Sequence, residues 1–206
     1  PTLLDELGAK TTMPPSEIPS DFTEAEKVLS AVDSYVFRDY EGNPDLGYHY
    51  DPLDFYWTSL NLASNCVLRL TNGVAIGIYG VKGTTLHAGS KLLATGEPQN
   101  HGRLVRYQTV QEQPEPWGST NSRMSLIDVP AAYTPPPAVQ MRLTDISMMS
   151  CSYDQSHILD CRQQQTSNPT YPVTPLSFTD CQIWNGRLMI YTGWSGMTVG
   201  LTNNLL

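Results

Sequence analysis

Apolar positions in this chain recur mostly with the short period of strands. Asp54–Leu62 is rich in aromatic residues, Ser and Thr, and the runs Cys66–Leu70 and Val74–Val81 flank Asn72-Gly73. An Asn-Gly pair between two such runs signals a hairpin, because a type I′ turn needs positive φ at both central positions. Arg103–Glu112 alternates loosely through Leu104, Tyr107 and Val110. Ser122–Val129 and Ala138–Thr144 follow, and Leu176–Trp184 and Arg187–Thr192 flank a second such turn, Asn185-Gly186. Short strands in close succession, without intervening helices, predict an all-β fold: an antiparallel sandwich or barrel with long loops. Gly77, Gly80 and Gly83 are expected to mark bulges in the run they occupy.

One segment has helical spacing instead. Thr23 and Glu26 fit a capping box, and Ala25, Val28, Leu29 and Val32 fall on one face, so a short helix is expected near the N-terminus. Ahead of it, Met13-Pro14-Pro15-Ser16-Glu17-Ile18-Pro19 predicts an extended stretch, because proline lacks an N–H and pushes its predecessor out of the helical region. Residues 1–21 therefore read as a peripheral arm. Long loops are expected at 84–102, 113–121, 129–137 and 162–175, and no internal repeat is visible beyond the two Asn-Gly turns. The whole of 1–206 reads as one domain.

Composition narrows the class. A chain of 206 residues, 40% hydrophobic, with 4 Trp and 11 Tyr, can bury a substantial core. No run approaches the ~18 apolar residues of a spanning helix, so membrane insertion is not expected. The formal net charge is −8, and without a Lys/Arg cluster such a chain repels a phosphate backbone, which argues against nucleic acid as a partner. The charge is also uneven. Residues 1–54 hold 12 of the 20 acids against Lys10, Lys27 and Arg38, and the remaining residues hold 8 acids and 9 bases. The body is thus nearly uncharged, in the manner of exposed binding modules. A start at Pro1 is expected of a piece excised from a longer polypeptide, and the missing Asn-x-Ser/Thr sequon favours a protein made outside the secretory pathway. Cys66, Cys151, Cys161 and Cys181 are too few for a disulfide scaffold and are expected as free thiols, although Cys151 and Cys161 could pair if their Cα atoms approach closely enough.

The catalytic motifs fail on spacing. Gly193-Trp194-Ser195-Gly196 is one residue short of a nucleophile elbow. His157, with Asp154, Asp160, Cys151 and Cys161, lacks the Cys-x(2–4)-Cys or His-x(3–5)-His pairs of a zinc site, and His49, His87 and His101 are scattered. Asp51 and Asp54, within the aromatic run Tyr48–Trp57, are the candidates for a glycosidase-like carboxylate pair; the plainer reading is a turn followed by a buried aromatic strand. No enzyme activity, metal or cofactor is therefore expected. Trp57, Trp184 and Trp194 lie in or beside strands and read as core. Trp117, Tyr133 and Tyr171, each on a proline-stiffened loop, are the candidate binding residues, since rigid amphipathic aromatics give contact area at low entropic cost.

Three features carry a resemblance: the acidic arm before Asp21, the Cys66–Val81 hairpin, and the Tyr171–Gly200 stretch with Trp184-Asn185-Gly186 and Gly193-Trp194-Ser195-Gly196. With them, this lysine-poor, proline-rich chain resembles the capsid spike of astroviruses, in particular the avian branch. The resemblance implies a non-enzymatic virion surface projection, made in the host cytoplasm and released from a capsid precursor by proteolysis. It also implies a homodimer that engages a host-cell receptor, glycan or protein, and is bound by neutralising antibodies. The alternative expectation is a carbohydrate-active β-sandwich enzyme or its sugar-binding module.

Overall fold

The structure is a computed structural model that describes residues 15–31, 53–107, 124–130, 133–147, 156–161, 175–184, 187–190 and 199–206. Within them the chain winds through six coils of a three-faced parallel β-solenoid. Coil one places β1 (Ser16–Glu17) on face 1, β2 (Asp21–Phe22) on face 2 and β3 (Glu26–Ser30) on face 3. Coil two is β4 (Phe55–Leu62), which runs from face 1 onto face 2, and β5 (Val67–Thr71) on face 3. Coil three repeats this with β6 (Ala75–Leu86) and β7 (Lys91–Thr95). Coil four comprises β8 (Gly102–Arg106), β9 (Met124–Val129) and β10 (Ala138–Arg142). Coil five comprises β11 (Thr144–Ser147), β12 (Ser156–Cys161) and β13 (Leu176–Thr179), and coil six β14 (Gln182–Trp184), β15 (Arg187–Ile190) and β16 (Val199–Thr202). Face 3 is a six-stranded sheet in the order β16-β13-β10-β7-β5-β3, while faces 1 and 2 form one ten-stranded sheet, joined through β4 and β6.

The expected antiparallel sandwich or barrel is therefore corrected: every pairing between these strands is parallel. The reason lies in the turns. Asn72 and Gly73 do take positive φ (52° and 67°), as the Asn-Gly signal requires. Yet this turn carries the chain from face 3 to face 1, and β5 pairs with β3 and β7 rather than with β6. A left-handed residue is a corner device in either topology, and sequence alone does not say whether the strands it joins fold back or spiral on. Leu143, Asp180 and Asn203 occupy the same corner in later coils, at φ of 48°, 53° and 51°. Thus Ala138–Thr144 and Leu176–Trp184, which read as single strands, each break into two strands on different faces.

The N-terminal helix is corrected as well. Glu26–Ser30 is β3, in register with β5, where Leu29 stacks on Leu70 and Val28 stays 56% exposed. The stacking edge of the next coil outweighs a weak local helical preference. The expected loop at 84–102 contains the end of β6 and all of β7. Of the expected glycine bulges one is present: the β4–β6 register shifts between Thr58 and Leu60, opposite the stretch that holds Gly80 (φ 75°) and Gly83, whereas Gly77 pairs in regular register with Tyr56 and Val105.

Inward positions align into columns, because parallel in-register strands place one residue from each coil directly over the last. On face 3, Leu68, Leu92, Val139 and Leu176 form one column and Leu29, Leu70, Ala94, Met141 and Phe178 another, all buried. On face 1, Ile76, Leu104, Ile146 and Ile183 stack likewise. Each such side chain contributes roughly 1.5–3 kcal/mol by leaving water, and the columns merge into one core that also takes in Trp57, Leu60 and Leu86. At the far end, Leu205 bridges Gln182 in parallel, the start of a further coil, and Leu201, Leu205 and Leu206 are exposed.

Candidate functional site

Strand alternation on face 1 turns Trp57 and Ile78 inward and their neighbours Tyr56 and Tyr79 outward. The outward register column runs Tyr56, Gly77, Val105, Ser147, Trp184 across five successive strands. Tyr107, just past β8, lies between the two tyrosines. Its ring centroid is 5.0 Å from that of Tyr56, tilted by 32°, and 6.2 Å from that of Tyr79, edge-on at 83°. Both spacings suit favourable aromatic contacts.

A small residue makes room for this cluster. A Cβ on Gly77 would lie 2.9 Å from Tyr107 Cδ2 and 2.9 Å from Leu53 Cδ1. Leu53, Ala75 and Val105 form a separate buried patch beneath Tyr107. Tyr56 is fixed from its other end, where its hydroxyl donates to Glu17 Oε2 at 3.1 Å. Burial, and then the bond to Glu17, push its phenol pKa up. Tyr79 and Trp184 remain 40% and 48% exposed.

Beside the aromatic column runs one that begins at buried Ala75 and is polar from there on: Arg103, Asp145, Gln182. Asp145 Oδ1 lies 2.9 Å from His101 Nδ1, which fixes the imidazole at the edge of the strip. Face 1 thus presents partly exposed aromatic rings on a rigid sheet, flanked by a guanidinium, an imidazole, a carboxylate and an amide. Such a surface can stack on the apolar face of a ring and hydrogen-bond its substituents.

Of the three binding residues expected from sequence, the structure describes Tyr133 alone. Trp117 and Tyr171 lie outside the described residues. Tyr133 is partly buried against the core, its hydroxyl 3.2 Å from His87 Nδ1 and its ring 5.7 Å from the imidazole. Asp54 is buried, and its Oδ2 accepts the Ala75 backbone N–H at 2.6 Å, a tie between coils two and three; Asp51, its proposed partner, lies outside the described residues. The Gly193–Gly196 motif, His49, Cys151 and Asp154 are likewise outside them. His157, Asp160 and Cys161 belong to β12, and among the described residues no three His, Cys, Asp or Glu side chains converge as a metal site. Trp57 is core as expected, fully buried, whereas Trp184 is on the surface.

Tyr56 and Tyr79 were not singled out in the sequence and Trp184 was expected in the core, although a signal was present: each adjoins an inward residue (Trp57, Ile78, Ile183), so strict alternation places it outward. That Tyr107 joins them follows only from the coil register.

No known protein family, curated protein or solved structure matches this chain. The resemblance to astrovirus spikes therefore stands as an expectation.

Proposed function

We propose that this chain is a non-enzymatic recognition module and that the aromatic strip of face 1 binds a carbohydrate. The observation that carries the reading is the Tyr56–Tyr107–Tyr79 cluster, seated on Gly77 and aligned in register with Trp184. Rings held by a stacked sheet lose little freedom on binding, so their contact area converts efficiently into affinity. Spacing supports an extended ligand: successive strands are roughly 4.8 Å apart, so a chain of sugar rings lying along the column meets aromatic surface at the Tyr cluster and again at Trp184. The hydroxyls of such a ligand fall beside His101, Arg103, Asp145 and Gln182.

This reading keeps recognition as the class of function and sets the contact surface on a sheet rather than on loops. In the setting implied by the resemblance to astrovirus spikes, the ligand is a host-cell glycan. The test is a glycan array followed by calorimetric titration of the best ligand into the parent chain and into Tyr79→Ala and Trp184→Ala. Binding lost tenfold or more in both variants, with the bound glycan recovered intact, supports the reading. Unchanged binding in both removes face 1 as the site, and cleaved glycan removes the non-enzymatic reading.

A further inference from the structure

The outer surface of face 3 carries a second, independent feature. A groove of about 380 Å3 crosses β5, β7, β10 and β13. Its walls come from two outward register columns: Arg69, Leu93, Gln140, Ser177 and, beside them, Thr95, Arg142, Thr179. Register sets Arg142 two strands from Arg69 and one column over. From strand spacing and rise, their Cα atoms lie roughly 12 Å apart on the diagonal.

Charge sets this surface apart. The chain as a whole carries −8, yet the outward positions of the face 3 strands hold Arg69, Lys91 and Arg142 against Glu26 alone. Each arginine is steadied by one carboxylate: Arg69 by Glu26 on the neighbouring strand, and Arg142 by Asp180, whose Oδ2 lies 3.6 Å from Nε. Their side chains stay 45% and 62% exposed. A guanidinium has five N–H donors, more than one carboxylate can accept, so each can engage a second anion. Between the two cations the lining is Leu93, Thr95 and Gln140, and Ser177 and Thr179 of β13 extend it past Arg142, so that hydroxyl and amide groups able to donate and accept surround one apolar side chain.

We infer that this groove binds an acidic oligosaccharide, its carboxylates on Arg69 and Arg142 and its hydroxyls on Thr95, Gln140, Ser177 and Thr179. A single small anion does not span the diagonal between the guanidinium groups. A nucleic acid asks for a denser row of cations and for aromatic platforms, and among the described residues the groove lining includes no aromatic side chain. A sugar chain bearing spaced carboxylates matches both the cation spacing and the polar lining. The site lies on a different face from the aromatic strip and does not depend on it.

The experiment titrates trimannuronate, mannotriose and sodium phosphate into the parent chain, followed by calorimetry and by NMR shifts. Binding of trimannuronate that weakens with salt, with mannotriose and phosphate at least tenfold weaker, is the expected result. Arg69→Gln with Arg142→Gln should lower the affinity tenfold or more. Ser177→Asp, which keeps both arginines but adds a negative charge to the groove lining beside Gln140, should do the same, and Tyr79→Ala should leave the affinity unchanged. Circular dichroism of each variant reports that the fold is kept. Equal binding of mannotriose overturns the acidic preference, and equal binding of phosphate reduces the groove to a simple anion contact. No binding of trimannuronate at millimolar concentration, or loss of it in Tyr79→Ala, overturns the assignment to face 3.

Discussion

The indole Nε1 of Trp57 donates a hydrogen bond to the hydroxyl of Thr84 at 3.1 Å, with both residues fully buried. This bond links coil two to coil three inside the core. It also explains a threonine in the inward column Leu60, Thr84, Ile127, Leu159, whose other members are aliphatic. Replacing Thr84 with Val keeps the shape and removes the acceptor, which leaves a buried N–H unsatisfied at a cost of about 1–3 kcal/mol. Thr84→Ser keeps the acceptor and should lose less. Urea unfolding of the two variants checks the order, and a Val variant as stable as the Ser variant would show that the bond adds nothing.

Gly77 governs the aromatic strip. In Gly77→Ala the new methyl meets Tyr107 and Leu53 at 2.9 Å, closer than carbon atoms pack. The contacts are with side chains, so the backbone stays and Tyr107 swings away from Tyr56 and Tyr79. Stability should fall by only about 1–2 kcal/mol, in the range for overpacking, while glycan affinity falls as far as in Tyr79→Ala. Near-ultraviolet circular dichroism, which reports the tyrosine environment, should change. An unchanged spectrum with unchanged binding would mean that Gly77 is not the seat of the cluster.

How much of this was legible in the sequence depends on whether a feature is local or arises from stacking. Strand positions at Phe55–Leu62, Val67–Thr71 and Met124–Val129 follow from alternation and β-branched or aromatic content, and the structure has strands there. Positive φ at Asn72-Gly73 is local chemistry and was legible too. Parallel order was not, because it depends on what lies beneath a strand rather than what precedes it. The coil repeat was hidden by its variable length: the step from Val67 to its partner Lys91 is about half of that from Lys91 to Ala138. Leu143 at φ 48° gives no warning, since leucine rarely takes that conformation. For the same reason the aromatic strip was only half visible. Alternation turns Tyr56 and Tyr79 outward, but their meeting with Tyr107 is a product of register.

Lys82 and Asp128 form an ion pair that joins coil three to coil four on face 2, with Nζ 3.0 Å from Oδ2. The partners are unequal: the lysine is 52% exposed and the aspartate 3%. Removing the lysine leaves a desolvated carboxylate, whereas removing both leaves none. Lys82→Met should therefore cost about 1–3 kcal/mol, and adding Asp128→Asn should restore part of the loss. A double variant less stable than the sum of the two singles would contradict this.

Cys66 and Cys181 are buried free thiols, in keeping with the expectation of reduced cysteines. Cys181 Sγ lies 3.3 Å from the Thr179 carbonyl and 3.5 Å from that of Met141, and burial pushes its pKa up. Since the thiolate is the reactive form, alkylation at pH 8 should be slow at both sites in the folded chain and complete in denaturant. Mass mapping without reductant reads both states. Rapid native labelling of Cys181 would contradict its burial.

The alkaline limit of stability should depend on Tyr56 and Tyr133. Burial raises both phenol pKa values above the ordinary value near 10, aided at Tyr56 by the bond to Glu17 and at Tyr133 by the negative charge of Asp128. The neutral phenol is thus the form the fold favours. A raised folded-state pKa means that the stabilisation is complete below the unfolded value of ~10 and is lost as pH rises through the folded values. Between pH 7 and 9 these two groups should leave stability flat, and above pH 10 they should draw it down. In Tyr56→Phe the phenol is gone, so the stability difference between parent and variant should be constant up to about pH 10 and then shrink. Denaturant unfolding at a series of pH values, with the tyrosinate absorbance recorded alongside, measures this. A difference that shrinks already between pH 7 and 9, or grows above pH 10, would show that the fold favours the phenolate instead.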